Sequence, residues 1–459
     1  MTHDLIVHGG LLVDGESVRR ADIAITDGVV AQIAPELDPA QARTRYDASG
    51  RYVLPGAIDA HNHPYYADDI EAFSLAAAAG GITTLIPFAG RQWHGGADHT
   101  LLDTVTEFLA NAERGSYLDF GAHVIVSPGD DLDEAVPALF DRGVASFKVF
   151  TAFPGNRMLD DGQILTLMTM LAARGALCMA HCENGHAVEL LERQLRAAGD
   201  VGPDAYGRSR PALVESEAVY RILSLAELTG CDAYIVHVSA AESLDVLRWF
   251  RQRPGPARYA ETCTHYLMLT DEDQQRIGGP AKISPPSRGA ADRDALWAAL
   301  RAGEIDVVAS DASGQTLAGK RPGETNFFDV PFGLPGVEHM LPLVVHTGLH
   351  EQGVGLPALV RALCERPADI FGLGHRKGRL APGFDGDLVV YDPFPAWQIS
   401  DDGLHGNSDY SVFAGRSGFG RPVLTVQRGQ TILRDGVVVA RPGAGTFLPA
   451  ARRDGEGPR

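Results

Sequence analysis

From about residue 55 to residue 375, short apolar runs alternate with longer stretches of helical periodicity. The runs include "ITTLIPF", "FGAHVIV", "VASFKVF", "ALCMAH", "AYIVHV", "RYAET" and "DVVAS", and stretches such as "DDGQILTLMTMLAARG" and "ESLDVLRWFRQR" separate them. Apolar runs bounded by helices describe strands buried on both faces, and consecutive strands linked by helices must lie parallel. About eight such units predict an α/β fold, a closed (β/α)₈ barrel of the TIM type. Residues 4 to about 53 read differently, as short alternating strands with tight turns ("DLIVHGGLLV", "ADIAITDGVVAQIA"). "GDLVVYD" and "VLTVQRGQTILRDGVVVA" near the other end share that character. The two ends are expected to form one small β-sandwich, from 1–54 and 376–442, flanking a barrel over 55–375. The tail 443–459, rich in Arg, Gly, Pro and Asp, is expected to be mobile or arm-like.

The chain of 459 residues is long enough for such a barrel plus a smaller module. With 45% hydrophobic and 22% charged residues it is an ordinary globular sequence. A formal net charge of −19 argues against nonspecific binding to nucleic acid or to an anionic membrane surface. The opening "MTHDLIVHGG" has no basic segment followed by a long apolar run, so no secretory signal is expected. No stretch reads as a bilayer span. Five cysteines, an odd number without a CxxC pair, suggest reduced thiols and a cytoplasmic protein.

The chemistry concentrates at the ends of the apolar runs. "LPGAIDAHNHPYY" ends in His61 and His63, which alternation places on one face of a strand. Lys148 lies inside "VASFKVF", His181 ends "ALCMAH", His237 falls near the end of "AYIVHV", and Asp311 follows "DVVAS". An isolated HxH more often marks hydrogen-bonded core histidines or a pair exposed by a turn than metal ligands. Polar residues at the C-terminal ends of several successive strands are harder to explain by packing, because a buried Lys or Asp is costly unless paired or coordinated. That end of a barrel is where active sites are built. Neutral imidazoles with a carboxylate suit a borderline divalent cation such as Zn²⁺. A lysine desolvated beside cations loses its proton readily, and the neutral amine can add CO₂ to become an anionic carbamate.

"LPGAIDAHNH", "SFKVF", "AHCENG", "SRPALVESEAVYRI", "IVHVS", "ETCTHYL", "SPPSR", "GLPGVEHMLP" and "RPADIFGL" followed by "RKGRLAPGFDGDLVVYDP" together resemble the cyclic amidohydrolases: dihydropyrimidinase, hydantoinase and allantoinase. The match runs in order from about residue 4 to 440 and favours the first two. The resemblance implies a hydrolase that opens a cyclic amide such as a hydantoin, dihydropyrimidine or imide. It implies two divalent ions, Zn²⁺ or alternatively Mn²⁺, with His61, His63 and Asp311 on the first, His181 and His237 on the second, and N6-carboxylated Lys148 bridging them. It also implies a homotetramer or homodimer. Asp311 is expected to act in catalysis as the group that moves the proton.

Substrate contacts depart from the family pattern. Phe153 stands where a Tyr is usual, and Phe332 where an Asn is usual. Ala312 replaces a His, and the loop after His63 is short. Ser284 keeps the substrate-binding Ser. Phenyl rings at two formerly polar positions point to a more apolar or aromatic-substituted substrate. Two other readings are a hydrolase for a non-cyclic amide or ester on the same binuclear centre, and a non-catalytic scaffold. Retention of all six ligand positions favours the enzyme over the scaffold.

Overall fold

The computed structural model of the chain describes residues 3–94, 99–321 and 325–451. Its centre is a parallel barrel. Strands β1 (Ala57–Asn62), β2 (Ile82–Ala89), β3 (Asp119–Phe120 continuing as His123–Ile125), β4 (Ser146–Phe150), β5 (Leu177–His181), β6 (Ala233–Ile235), β7 (Arg258–Cys263) and β8 (Val307–Ala309) pair in sequence order. The seam between β8 and β1 is closed by fewer bonds than the other pairings. Asp311 N–H donates to His61 O at 2.8 Å, and Ser310 N–H donates to Asp59 Oδ1 at 2.9 Å. Some of the helices begin at a polar cap, whereas Ala241–Arg251 begins at Ala240 with no side-chain cap. Asp160 and Gln163 make a capping box at the start of Asp161–Ala172, and Thr100 and Asp103 do the same for Leu101–Gly115.

Alternation along each strand sorts side chains into two cores. Phe147, Val149, Cys178, Ala180, Ala233 and Ile235 pack outward beneath the helices. Ile58, Ala60, Ile86, Phe88, Ile125, Leu177, Met179, Tyr234, Val307 and Ala309 fill the barrel interior.

The chain ends share a sheet. Strand Tyr52–Pro55 pairs antiparallel with Leu388–Tyr391 and parallel with Leu11–Leu12, within a seven-stranded sheet. A four-stranded sheet of Val29–Ala34, Asp22–Thr26, His3–His8 and Ala42–Asp47 belongs to the same region, and Leu5, Val7, Ile23, Ile25, Val53, Leu388, Val390 and Val426 form one core there. This module is tied to the barrel by a buried charge network. Lys377 Nζ lies 2.6 Å from Asp119 at the start of β3 and 2.6 Å from Asp387.

The tail corrects one expectation. Gly443 to Ala451 are not a mobile arm. Leu448 is buried in the barrel-interior cluster beside Phe371, and backbone bonds run from Leu448 N–H to Phe120 O, Ala450 N–H to Gly143 O and Ala451 N–H to Gly372 O. A composition that reads as disordered is held by distant backbone partners and by two apolar side chains, Leu448 in the buried cluster and Phe447 against the Phe120 ring. The rest of the predicted tail, 452–459, lies outside the described residues.

Candidate active site

Six side chains converge at the C-terminal end of the barrel: His61, His63, Lys148, His181, His237 and Asp311, each 8% exposed or less. Three local devices bring them there. Lys148 and His181 follow the plain inward alternation of β4 and β5. In β1 the register against β2 slips between Asp59 and Asn62, so the inward set changes from Ile58 and Ala60 to His61 and His63. His237 and Asp311 each adopt a left-handed backbone, with φ of 40° and 46°, in the residues just after β6 and β8. Non-glycine residues rarely take such angles, and where they do the surrounding structure must enforce them.

The nitrogens of the cluster face one another. His61 Nε2 lies 3.2 Å from His63 Nε2, 3.0 Å from Lys148 Nζ and 3.1 Å from Asp311 Oδ1. Asp311 Oδ1 is also 3.1 Å from His63 Nε2. On the other side, His181 Nδ1 lies 2.9 Å from His237 Nε2. The outward-facing nitrogens meet carboxylates: His61 Nδ1 is 2.6 Å from Glu261 Oε1, and His181 Nε2 is 2.8 Å from Glu183 Oε2. A carboxylate can only accept, so each imidazole places its proton outward and turns a bare nitrogen into the cluster. That is the posture of a metal ligand held by an outer carboxylate. It fits divalent ions better than a self-satisfied polar core, in which facing lone pairs at about 3 Å would need protons between them.

The electrostatics split the four imidazoles: burial lowers His63, His181 and His237, whereas in His61 burial and the Lys148 charge are outweighed by the Glu261 and Asp311 carboxylates, which raise it above its ordinary value. Burial drives the His63 imidazole down to about 3 and the Lys148 amine down to about 8, the latter against the pull of Asp311 and Glu261. Burial pushes the Asp311 carboxyl upward, but its hydrogen bonds and charge interactions with the surrounding histidines hold it well below the ordinary carboxylate range. At neutral pH His63 is therefore neutral and Asp311 ionised, the states in which they could hold a metal ion.

The residues expected to contact substrate also gather here. Phe153, with a left-handed φ of 65°, and Phe332 line the same cavity as His63, Lys148, His181, His237, Asp311 and Ser284. Their rings are 5.5 Å apart, and Phe153 is 5.5 Å from the His181 ring. Ser284 Oγ donates to Glu183 Oε2 at 2.6 Å. Ala312 sits in the β1–β8 seam, bridging to Asn62 and to Leu334.

Sequence reasoning missed Glu261 and Glu183. Glu261 also accepts from Tyr234 at 2.8 Å and from the His237 backbone at 3.0 Å, so it orients two strand ends at once. Glu183 joins His181 to Ser284. The available signal was an acid inside or just beyond a buried barrel strand, in "RYAET" and "AHCENG", where burial demands a partner.

Comparisons with known proteins bear on this constellation. The sequence description of the Amidohydrolase family matches residues 52–432. A D-hydantoinase of Ralstonia pickettii is 39% identical over 457 residues, covering 97% of this chain and 98% of the relative. A D-phenylhydantoinase of Escherichia coli O1:K1 / APEC is 34% identical over 456 residues, covering 97% of each. The solved structure described as "Structure of D-hydantoinase" superimposes with a TM-score of 0.92 at 37% identity, covering 98% of this chain and 99% of that one.

Proposed function

This chain belongs to the amidohydrolase family, and from that premise we propose that it opens a cyclic amide, of the hydantoin, dihydropyrimidine or imide class, by metal-dependent hydrolysis. The observation that carries the reading is the set of imidazole nitrogens and one ionised carboxylate turned into a common space, with the outward nitrogens of His61 and His181 each held by a buried acid. His61, His63 and Asp311 would hold one divalent ion and His181 and His237 the second, with Lys148, as its carbamate, between them. Zn²⁺ suits this donor set, and Mn²⁺ is the alternative. When bound, such a pair supplies a hydroxide nucleophile at neutral pH and polarises the carbonyl to be attacked.

The chain's own residues do the rest. Asp311, ionised at rest, takes the proton of the attacking water and returns it to the ring nitrogen as the carbon–nitrogen bond breaks. One carboxylate thus serves first as base and then as acid. Phe153 has no hydroxyl to donate to the developing oxyanion, so stabilisation there falls more heavily on the ions. Ser284, with its own proton given to Glu183, presents lone pairs to the ring. Phe153 and Phe332 form an apolar wall that favours an aromatic or aliphatic ring substituent.

An assembly of two or four copies is supported by large apolar side chains left exposed on adjacent helices. Leu213, Tyr220 and Leu228 lie on Ala212–Thr229 and Trp249 on Ala241–Arg251, and light scattering of the purified protein would test it. A cytoplasmic location is supported by five free cysteines, all buried. No helix among the described residues is long and apolar enough to cross a membrane.

The function is tested by screening hydantoins, dihydropyrimidines, imides, allantoin and lactams for ring opening by Zn²⁺- and Mn²⁺-loaded protein. Failure on every ring by fully metallated protein would overturn it. Asp311→Asn, which has no proton to shuttle, should keep much of its metal and lose orders of magnitude in kcat. A near-normal kcat with both ions bound would reduce Asp311 to a ligand.

A further inference from the structure

The turn that carries Phe332 is held in an unusual way. After the short helical turn Phe327–Asp329 the chain runs through Val330, Pro331, Phe332 and Gly333 without joining a sheet. Asn326 and Phe327 border a cavity of about 450 Å³ that is also lined by Val201–Pro203, Gly278–Pro280 and Lys320, so packing there is incomplete.

Two buried lysines take up the turn's carbonyls. Lys282 Nζ donates to Phe328 O and to Val330 O, at 2.7 Å each. Lys320 Nζ donates to Pro331 O at 2.9 Å, to Gly333 O, and to Lys282 O at 3.3 Å, which links the two clamps. Gln315 Nε2 takes Phe332 O at 2.9 Å. Of the carbonyls from Phe328 to Gly333, only that of Asp329 is outside this set. Lys282 is 1% exposed and Lys320 3%. Carbonyl oxygens rather than carboxylates surround both amines, an arrangement costlier than a surface lysine and hard to explain by general stability. The Lys282 ammonium also lies 4.6 Å from the centre of the Phe332 ring, within cation–π range. One side chain thus fixes both the backbone before Phe332 and the ring itself.

We propose that Lys282 and Lys320 are positioning residues that set substrate selectivity by clamping the Phe328–Gly333 turn and so holding the Phe332 ring as a fixed wall of the active-site cavity. The inference rests on the cyclic-amide reading of that site. A ring substituent that packs on the wall would feel its loss, whereas an unsubstituted ring would feel it little.

The experiment uses full-length, metal-loaded protein with Lys282→Met, Lys320→Met, Phe332→Ala and the double variant Lys282→Met/Phe332→Ala. Methionine keeps the length of the stem and removes the donors. Amide hydrogen exchange should speed up in the 328–334 segment of each lysine variant while the barrel strands stay protected. KM for a 5-phenylhydantoin should rise about tenfold, a loss of about 1.4 kcal/mol, with a smaller change for unsubstituted hydantoin. Adding Lys282→Met to Phe332→Ala should have no further effect on that ratio, because both act through the same ring. The clamp is overturned if exchange in the segment is unchanged, if both substrates lose equally, or if the two substitutions add independently. If wild-type protein opens neither ring, the function reading falls, and the exchange measurement alone decides the clamp. If Lys320→Met does not fold, Lys282→Met carries the test.

Discussion

The rings of Phe153 and Phe332 meet edge to face with their centroids 5.5 Å apart, although 179 positions separate them in the chain. The two phenyl positions expected to touch substrate therefore form one contact rather than two isolated features. Phe332→Asn, or Phe153→Tyr, should shift preference towards smaller and more polar rings. The pair should couple in a double-mutant cycle, by about 0.5–1.5 kcal/mol as aromatic pairs do. Ratios of kcat/KM for phenyl-substituted and unsubstituted rings would show this, and an unchanged profile in both variants would make the rings packing only.

Lys148 is 2% exposed, and burial brings its amine down to about 8, so the neutral form that reacts with CO₂ is within reach near neutral pH. Lys148→Ala should lose turnover and regain part of it with added short carboxylic acids, which replace the missing oxygens. Mass spectrometry or density showing a bare amine in a metal-loaded, active enzyme would refute the carbamate.

Glu261 touches His61 and the His237 backbone but not the cavity, so its substitution should act on metal binding before chemistry. Glu261→Gln is expected to weaken metal retention by about 10–100-fold in chelator competition, the range seen for outer partners of ligating histidines. Full retention would show that His61 needs no such partner.

Leu448 fills a buried site beside Phe371 in the barrel interior. Leu448→Ala should cost about 2–5 kcal/mol, as other buried Leu truncations do, and lower the melting temperature. An unchanged melting temperature would return the tail to the status of a loose arm.

Burial, followed by the charge of Arg210, lowers the Lys282 amine to about 7, and burial with the charge of Lys282 lowers Lys320 to about 7, against an ordinary 10.5. Glu192 and Asp329 oppose the shift of Lys282, and Arg196 adds to it. Between pH 7 and 10.5 the unfolded chain binds more protons at these sites, so their contribution makes stability rise with pH across that window. The cost of burying the charged forms is fully present below it. Each group contributes a slope of at most about 1.4 kcal/mol per pH unit. Urea unfolding at pH 7 and pH 9 should show a smaller pH increment for Lys282→Met than for wild type, and an equal increment would mean that Lys282 stays charged throughout.

The sequence was most legible where chemistry follows the period of a single element. Lys148 and His181 sit on the inward parity of strands whose outward residues are plainly apolar, so strand pattern alone places them at one end of the barrel. The seam between the chain ends was legible for the same reason, since alternating runs at both termini can bury their apolar faces only together. Ser284 and the two phenyl positions were found through the family's motifs rather than through any local periodicity.

Other features needed distant partners. His61 and His63 read correctly as a pair on one face, but it is the slipped register of β1 against β2 that turns that face inward, and no pattern within "DAHNH" specifies it. His237 lies off the inward parity of Tyr234 and Val236, and a left-handed residue brings it back. Glu183 and Glu261 became interpretable only when their histidine partners were in place. The tail from Gly443 reads as mobile because its Arg, Asp, Gly and Pro content dominates the whole stretch, yet within 443–451 Phe120, Gly143 and Gly372 supply hydrogen bonds, Phe447 meets the Phe120 ring and Leu448 joins a buried cluster. What the sequence by itself determined is what propensity and the alternation of buried faces control: eight parallel strands, their helices, and polar residues collected at one end. What only the tertiary structure decided is the register at the seam, the backbone angles of His237 and Asp311, the lysine clamp and the docked tail, because each depends on contacts between residues far apart in the chain, whose geometry exists only once the barrel has closed.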